Sequence, residues 1–267
     1  MPTTRRRPSG WRRRWRGWGN MLALVTITPG EPEIFAALQG EGASIGRPCV
    51  FVRLSRCNLA CQWCDTAYTW HFEGDNRPHS DGIAFSRAAN QVNWSEEQTA
   101  ARILDLGGHL PTPRLVITGG EPLLQGPALA KLLAHLRGWE VEVETNGTVA
   151  PAPALDPLIG QYNVSPKLAH SGNPADLALP PARLDAWAAD DRAWFKFVVA
   201  TPDDVDQVRA LASIHAIPAH RIFLMAEGRD SATLRDRQRW LADLCLMHGY
   251  SLSDRLHIHL SGDTRGT

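Results

Sequence analysis

Three cysteines, Cys57, Cys61 and Cys64, fall in the stretch Cys57-Asn58-Leu59-Ala60-Cys61-Gln62-Trp63-Cys64, directly after the apolar run Val50-Phe51-Val52-Arg53-Leu54. Thiolates this close suit three irons of a cubane iron–sulfur cluster and leave the fourth iron free to take a small molecule. The thiolates and their hydrogen-bonded surroundings then set the cluster potential. A Cys-x2-Cys pair also reads as structural zinc, but such a site closes with four ligands, and only His71 stands close downstream. Cys49 and Cys245 are isolated in apolar contexts and read as buried free thiols. An odd cysteine count in a chain of 267 residues argues against a disulfide framework.

Other polar clusters complement the cysteines. Thr118-Gly119-Gly120-Glu121-Pro122 combines glycines, whose backbone can approach a ligand closely, with a carboxylate suited to an ammonium group. Glu144-Thr145-Asn146-Gly147-Thr148, Ser165-Pro166-Lys167 and Met225-Ala226-Glu227-Gly228 are further candidates.

The elements that must position them alternate strand and helix. Cys49–Leu54 and Leu115–Thr118 read as buried strands, and Val141–Thr145 alternates apolar residues with Glu. Further strands are expected at Tyr162–Ser165, Phe195–Val199, Arg221–Met225 and Leu256–Leu260. Ser95 and Gln98 predict a capping box; Leu129, Leu132, Leu133 and Leu136 predict one apolar helix face. Thr201-Pro202 opens another helix, and Ser231–His248 ends at the left-handed cap Gly249. Residues 71–94 read as a loop or short lid, and residues 150–157 as a short connection in place of a crossover helix. This alternation implies an α/β fold with a mainly parallel sheet, open or rolled into a barrel, with its chemistry at the carboxyl ends of the strands. The polar clusters above fall at those ends.

With 43% hydrophobic residues the chain can bury one sizeable core. Lys plus Arg and Asp plus Glu balance at 28 each, so no global charge calls for nucleic acid. Residues 1–20 nevertheless hold seven arginines and no acid, with Trp11, Trp15 and Trp18 between them. Such a head suits an RNA- or membrane-touching arm, an export signal, or a disordered tail upstream of a start at Met21. The last is the reading adopted, with residues 21–267 as one catalytic domain. The apolar stretch Leu22–Ile27 is too short for an export signal or a bilayer span, which points to a cytoplasmic protein where a cluster survives.

The cysteine spacing resembles the signature of radical S-adenosylmethionine (SAM) enzymes. Glu33-Ile34-Phe35, Leu38-Gln39-Gly40-Glu41-Gly42, Phe51-Val52-Arg53-Leu54, Asp65-Thr66, Ser165-Pro166-Lys167 and the ending through Arg265-Gly266-Thr267 resemble the 7-carboxy-7-deazaguanine synthases in particular. That resemblance covers the chain from about residue 22, with Ala226 standing where the family often has proline. It implies a partial, open (β/α) barrel of the radical SAM type. It also implies a 4Fe–4S cluster on Cys57, Cys61 and Cys64, SAM, and Mg²⁺ at Thr66. SAM contacts are then expected from Trp63, Cys64, Asp65, Gly119, Gly120, Glu121, Glu144, Asn146, Ser165, Pro166, Lys167, Met225, Ala226, Glu227 and Gly228. Contacts to a pterin substrate are expected from Leu38, Gln39, Gly40, Glu41, Arg53, Thr118 and Thr267. Gln39 suits the pterin edge and Arg53 a carboxylate. A flavodoxin or ferredoxin reductant, a homodimer, and no direct nucleic-acid or membrane partner complete the expectation. Its rivals are a glycyl-radical-enzyme activase, sharing the cysteine spacing and the Gly-Gly-Glu-Pro turn, and a zinc-binding RNA module using the basic head.

Overall fold

The computed structural model describes residues 21–267, so the readings of the arginine-rich head lie outside the described residues. The strands are β1 (Met21–Thr28), β2 (Glu31–Pro32), β3 (Ile34–Leu38), β4 (Pro48–Leu54), β5 (Gln91–Ser95), β6 (Arg114–Gly119), β7 (Glu140–Thr145), β8 (Gln161–Val164), β9 (Ala193–Val199), β10 (Ile222–Ala226) and β11 (Ser251–Ser253). The helices are α1 (Arg87–Asn90), α2 (Glu96–Gly107), α3 (Gly126–Ala134), α4 (Ala175–Ala178), α5 (Pro181–Ala188), α6 (Pro202–Ile214), α7 (Ser231–His248) and α8 (Leu256–Ser261).

All strands join one sheet. Along it β4, β6, β7, β8, β9, β10 and β11 are neighbours in chain order and pair in parallel, as helical crossovers demand. Antiparallel β1 and β3 flank β4, and β2 and β5 extend that side from β1. The two ends of the sheet do not pair with each other, so it is a partial, open barrel.

A period of two along each parallel strand separates the faces. Val50, Val52 and Leu54 of β4, Leu115 and Ile117 of β6, Val141 and Val143 of β7, and Phe195, Phe197 and Val199 of β9 enter one apolar core, shared with α3, α6 and α7. The alternate residues, Arg53, Thr118, Glu144, Asn163, Lys196 and Val198, face the cavity enclosed by the curved sheet. Continuous burial on both faces therefore reads as an apolar run in some strands and as Glu alternation in β7.

The helix signals hold. Ser95 and Gln98 form a reciprocal capping box on α2, and Thr201 with Asp204 forms another on α6. Asp230 caps the first turn of α7, and Gly249 ends that helix at φ 70°. A single short 3₁₀ turn, Asp156–Leu158, links β7 to β8 in place of a crossover helix.

Three expectations need correction. Leu256–Leu260 is not a strand but most of α8. Its period-2 pattern misleads because only Ile258 is buried and Leu260 is 65% exposed; the last strand is the serine-rich β11. Residues 71–94 are not all loop, since α1 and most of β5 lie there; β5 is half-buried and polar and borrows its register from β1. The sheet also begins before residue 49, because Leu22–Val25 of β1 are buried against the core.

Candidate active site

The carboxyl ends of the parallel strands open on one cavity of about 340 Å³. Its thiol wall is the loop after β4. That loop leaves the strand through Arg56, at the left-handed φ of 84°, with its amide bonded to the Thr69 carbonyl at 2.7 Å. The Gly-Gly turn after β6 locks against it: Gly120 donates to the Leu54 carbonyl at 3.1 Å and Glu121 to the Arg56 carbonyl at 2.8 Å. A Cβ on Gly119 would stand 2.1 Å from the Leu54 carbonyl oxygen, and one on Gly120 2.2 Å from that of Arg56. These glycines are required by the approach of backbone to backbone.

Each thiol meets an N–H donor. The Asn146 amide lies 3.8 Å from Cys57 Sγ, the Asn173 amide 3.3 Å from Cys61 Sγ, and the Trp70 indole nitrogen 3.4 Å from Cys64 Sγ. Burial pushes the Cys57 thiol up to about 12 and raises Cys61 and Cys64 as well, so loading iron must displace protons. Among the described residues no three His, Cys, Asp or Glu side chains converge on a single ion. A closed zinc site needs four converging ligands, whereas cubane ligands each take a separate iron. Three cavity-facing thiols backed by neutral donors fit such a cluster.

An ionic network also lines the cavity, and through Asp65 it begins directly beside Cys64. Lys196 in β9 pairs with Glu41 and lies 3.9 Å from Glu144. Arg255 joins Glu41, at 3.1 Å, to Asp65, and donates to the Gly228 carbonyl at 2.5 Å. Burial alone would raise the Glu41 carboxyl, but Lys196, Arg255 and His257 hold it well below the usual carboxylate range. Asp65 is likewise lowered, with Arg255 outweighing its burial. Burial would lower Lys196 too, and Glu41 and Glu144 reverse this. The network is ionised at neutral pH.

The cavity brings together Leu38, Gln39, Gly40, Glu41, Arg53, Cys57, Cys61, Trp63, Cys64, Asp65, Thr66, Thr118, Gly119, Gly120, Glu144, Asn146, Ser165, Lys167, Met225 and Thr267. Trp63 stacks on His170 with ring centroids 5.3 Å apart, and its buried indole N–H has no partner among the described residues. Thr66 Oγ1 lies 3.6 Å from Cys64 Sγ.

Pro166, Ala226, Glu227, Gly228 and Glu121 do not line the cavity. Ala226 is buried at the end of β10, and Glu227 pairs with Arg237. The buried Glu121 carboxyl accepts from the backbone amides of Leu123 and Asn146 at 3.0 and 2.7 Å and from the Thr145 hydroxyl at 2.9 Å. It braces the turn. Burial outweighs those bonds and raises its carboxyl to about 7. Gln39 is partly committed to the scaffold. Its side chain is 1% exposed; the amide nitrogen donates to Glu142 at 2.7 Å and Glu144 at 3.3 Å, and the oxygen accepts from Glu41 N at 3.2 Å. Both amide donors are thus engaged, and one lone pair of the oxygen remains free at the cavity. Arg53 keeps to the cavity wall while its Nε donates to Glu33 at 2.6 Å.

Sequence reasoning missed Lys196, Arg255, Asn173 and Trp70. A lone lysine inside the apolar strand Trp194-Phe195-Lys196-Phe197-Val198 is a detectable signal, whereas Arg255 and Asn173 belong to no local motif.

An open parallel barrel with a three-cysteine loop at its mouth defines a radical SAM protein, and residues 52–162 match the model of the Radical SAM superfamily. Curated 7-carboxy-7-deazaguanine synthases align over most of the chain. The Pyrobaculum aerophilum protein is 38% identical, covering 88% of this chain and 95% of its own. The Hyperthermus butylicus protein is 36% identical, covering 85% and 90%. The crystal structure of QueE from Escherichia coli superposes with a TM-score of 0.60 at 25% identity, over 89% of this chain and 95% of that one. The chain belongs to the 7-carboxy-7-deazaguanine synthase family. As a member it is a SAM-dependent lyase of 7-deazapurine biosynthesis, and membership implies SAM and a 4Fe–4S cluster.

Proposed function

We propose that this chain converts 6-carboxy-5,6,7,8-tetrahydropterin to 7-carboxy-7-deazaguanine and ammonia. The observation that carries the reading is one cavity lined both by donor-backed thiols and by an ionised Glu41–Lys196–Arg255–Asp65 network. Cys57, Cys61 and Cys64 would hold the cluster, which together with SAM would supply radical hydrogen-abstraction chemistry to the cavity.

The chain itself binds, orients and shields. Trp63, Asp65, Asn146, Ser165, Lys167 and Met225 are the SAM side of the cavity, with the backbone of Gly119 and Gly120. Glu41 and Glu144 line the cavity with acceptor oxygens that suit the N–H-rich pyrimidine edge of a pterin, alongside the remaining acceptor site of the Gln39 oxygen. Thr118 orients Glu144 by donating to it at 2.8 Å. Arg53 is the cation for the substrate carboxylate, aimed by Glu33. Leu38, Gly40 and Thr267 close the cavity around the substrate. Thr66 offers Mg²⁺ one hard oxygen, which suffices because that ion keeps waters and takes further oxygens from substrate.

A flavodoxin or ferredoxin supplies the electron, the working unit is a homodimer, and the setting is cytoplasmic. Among the described residues no helix is long and apolar enough to cross a membrane. Residues 21–267 form the catalytic unit, supported by relatives that match about nine-tenths of the chain.

The test is to incubate the reconstituted chain anaerobically with SAM, reductant, Mg²⁺ and carboxy-tetrahydropterin and to identify the product by mass. The deazaguanine and ammonia are expected, equally from a chain lacking residues 1–20, with a weaker Mg²⁺ response in Thr66→Ala. Absence of that product, with radical formation instead on a glycyl-radical protein, would establish the activase reading.

A further inference from the structure

The three amide and indole N–H groups on the thiols come from outside the cysteine loop, each from a different part of the fold. Asn146 stands at the end of β7, Asn173 in the turn after β8, and Trp70 in the 3₁₀ turn that follows the loop. Asn173 is placed firmly. Its oxygen accepts from Ala60 N at 2.8 Å, inside the cysteine loop, while its amide reaches both Cys61 Sγ at 3.3 Å and Ser171 Oγ at 3.1 Å. The same turn receives Gln62 N on the Ser171 carbonyl at 2.9 Å. Trp70 is 4% exposed and lies under the Arg77 guanidinium at 4.7 Å, so its indole N–H is fixed toward Cys64.

We infer that Trp70 and Asn173 are positioning residues that set the reduction potential of the cluster held by Cys61 and Cys64. An N–H aimed at a ligating sulfur stabilises the more electron-rich, reduced state and so raises the potential. Asn146 does the same at Cys57 more weakly, its nitrogen standing 3.8 Å away. Neither Trp70 nor Asn173 belongs to the cysteine spacing or the Gly-Gly turn, and neither carries charge, so the tuning is by hydrogen bond alone.

The inference rests on the proposed cluster, and the experiment separates the two. Wild type, Trp70→Phe and Asn173→Ala are reconstituted, assayed for iron and sulfide, and titrated with reductant under electron paramagnetic resonance. Trp70→Phe keeps an aromatic ring and removes the donor along with part of the indole volume, which is why iron content is read beside the midpoint. Both variants are expected to retain wild-type iron while their midpoints move to more negative potential. At the wild-type midpoint the ratio of reduced to oxidised cluster should fall up to about tenfold, equivalent to about 59 mV for one electron. Unchanged midpoints with full iron content would overturn the inference. Loss of iron from a folded variant would also overturn it, since that marks a structural role. Wild type without iron and sulfide would overturn the underlying reading itself.

Discussion

The thiol wall of the cavity comes from eight consecutive residues, Cys57 to Cys64, whereas the ionic wall gathers Glu41, Asp65, Lys196 and Arg255 from positions as much as 214 apart. The first is specified by spacing in one loop and needs the sheet only to hold it at the cavity mouth. The second exists only when β9, the loop after β3 and the segment before α8 are assembled. Cofactor chemistry therefore travels as a local motif, while recognition of the substrate is a property of the whole barrel.

If the division is right, the largest effect belongs to the thiols. Cys61→Ala is expected to abolish both iron binding and turnover. Cys245→Ala, buried in α7 far from the loop in sequence, is expected to leave turnover within about twofold of wild type. Iron analysis alongside the activity assay checks both, and full activity in Cys61→Ala would break the comparison.

The ionic wall should fail differently. Lys196→Met leaves the buried Glu41 with Arg255 and the more distant His257, and removing one partner of a buried pair costs about 3–5 kcal/mol. The expected outcome is a folded but less stable chain with normal iron content and at least about tenfold weaker substrate binding, a loss of about 1.4 kcal/mol. Calorimetric titration of substrate and thermal unfolding read the two effects separately. Loss of iron in this variant would show that the walls are not independent.

A smaller effect sharpens the contrast by pH. Glu121, raised to about 7 by burial, holds its proton in the folded chain where the unfolded chain has released it above 4.5. Its contribution to stability therefore declines as pH rises from about 4.5 to 7, by about 3 kcal/mol for a shift of this size. Glu41 runs the other way: its lowered carboxyl stabilises the fold above the ordinary 4.5 and loses that contribution as pH falls further. In urea unfolding of the iron-free chain, the stability difference between Glu121→Gln and wild type should move in the variant's favour between pH 5 and pH 8. A difference that stays constant would show that Glu121 is already ionised in the fold.

These outcomes also mark what the sequence makes legible. The cysteine loop, the Gly-Gly turn, the helix caps at Ser95, Thr201 and Gly249 and the parallel strands are local patterns, and each is found where its pattern predicts. The N-terminal strands and β5 escape because edge and antiparallel strands carry a weaker, half-polar signal than the central ones. Leu256–Leu260 escapes because alternation without burial imitates a strand. Within the site, Glu121 and Gln39 carry the right residue type and turn polar groups into the scaffold, a choice made by neighbours more than a hundred residues away in the case of Gln39 and Glu142. Arg255 has no local signal at all, since its role lies in joining two carboxylates the chain brings together late.

The most direct measurement of the central claim is the electron paramagnetic resonance spectrum of the reduced, reconstituted chain with and without SAM, read together with its metal content. The account predicts about four irons and four sulfides per chain and a spectrum that changes when SAM is added, because only three thiols hold the cluster and one iron stays open. Zinc in place of iron, or a cluster whose spectrum ignores SAM, would contradict it.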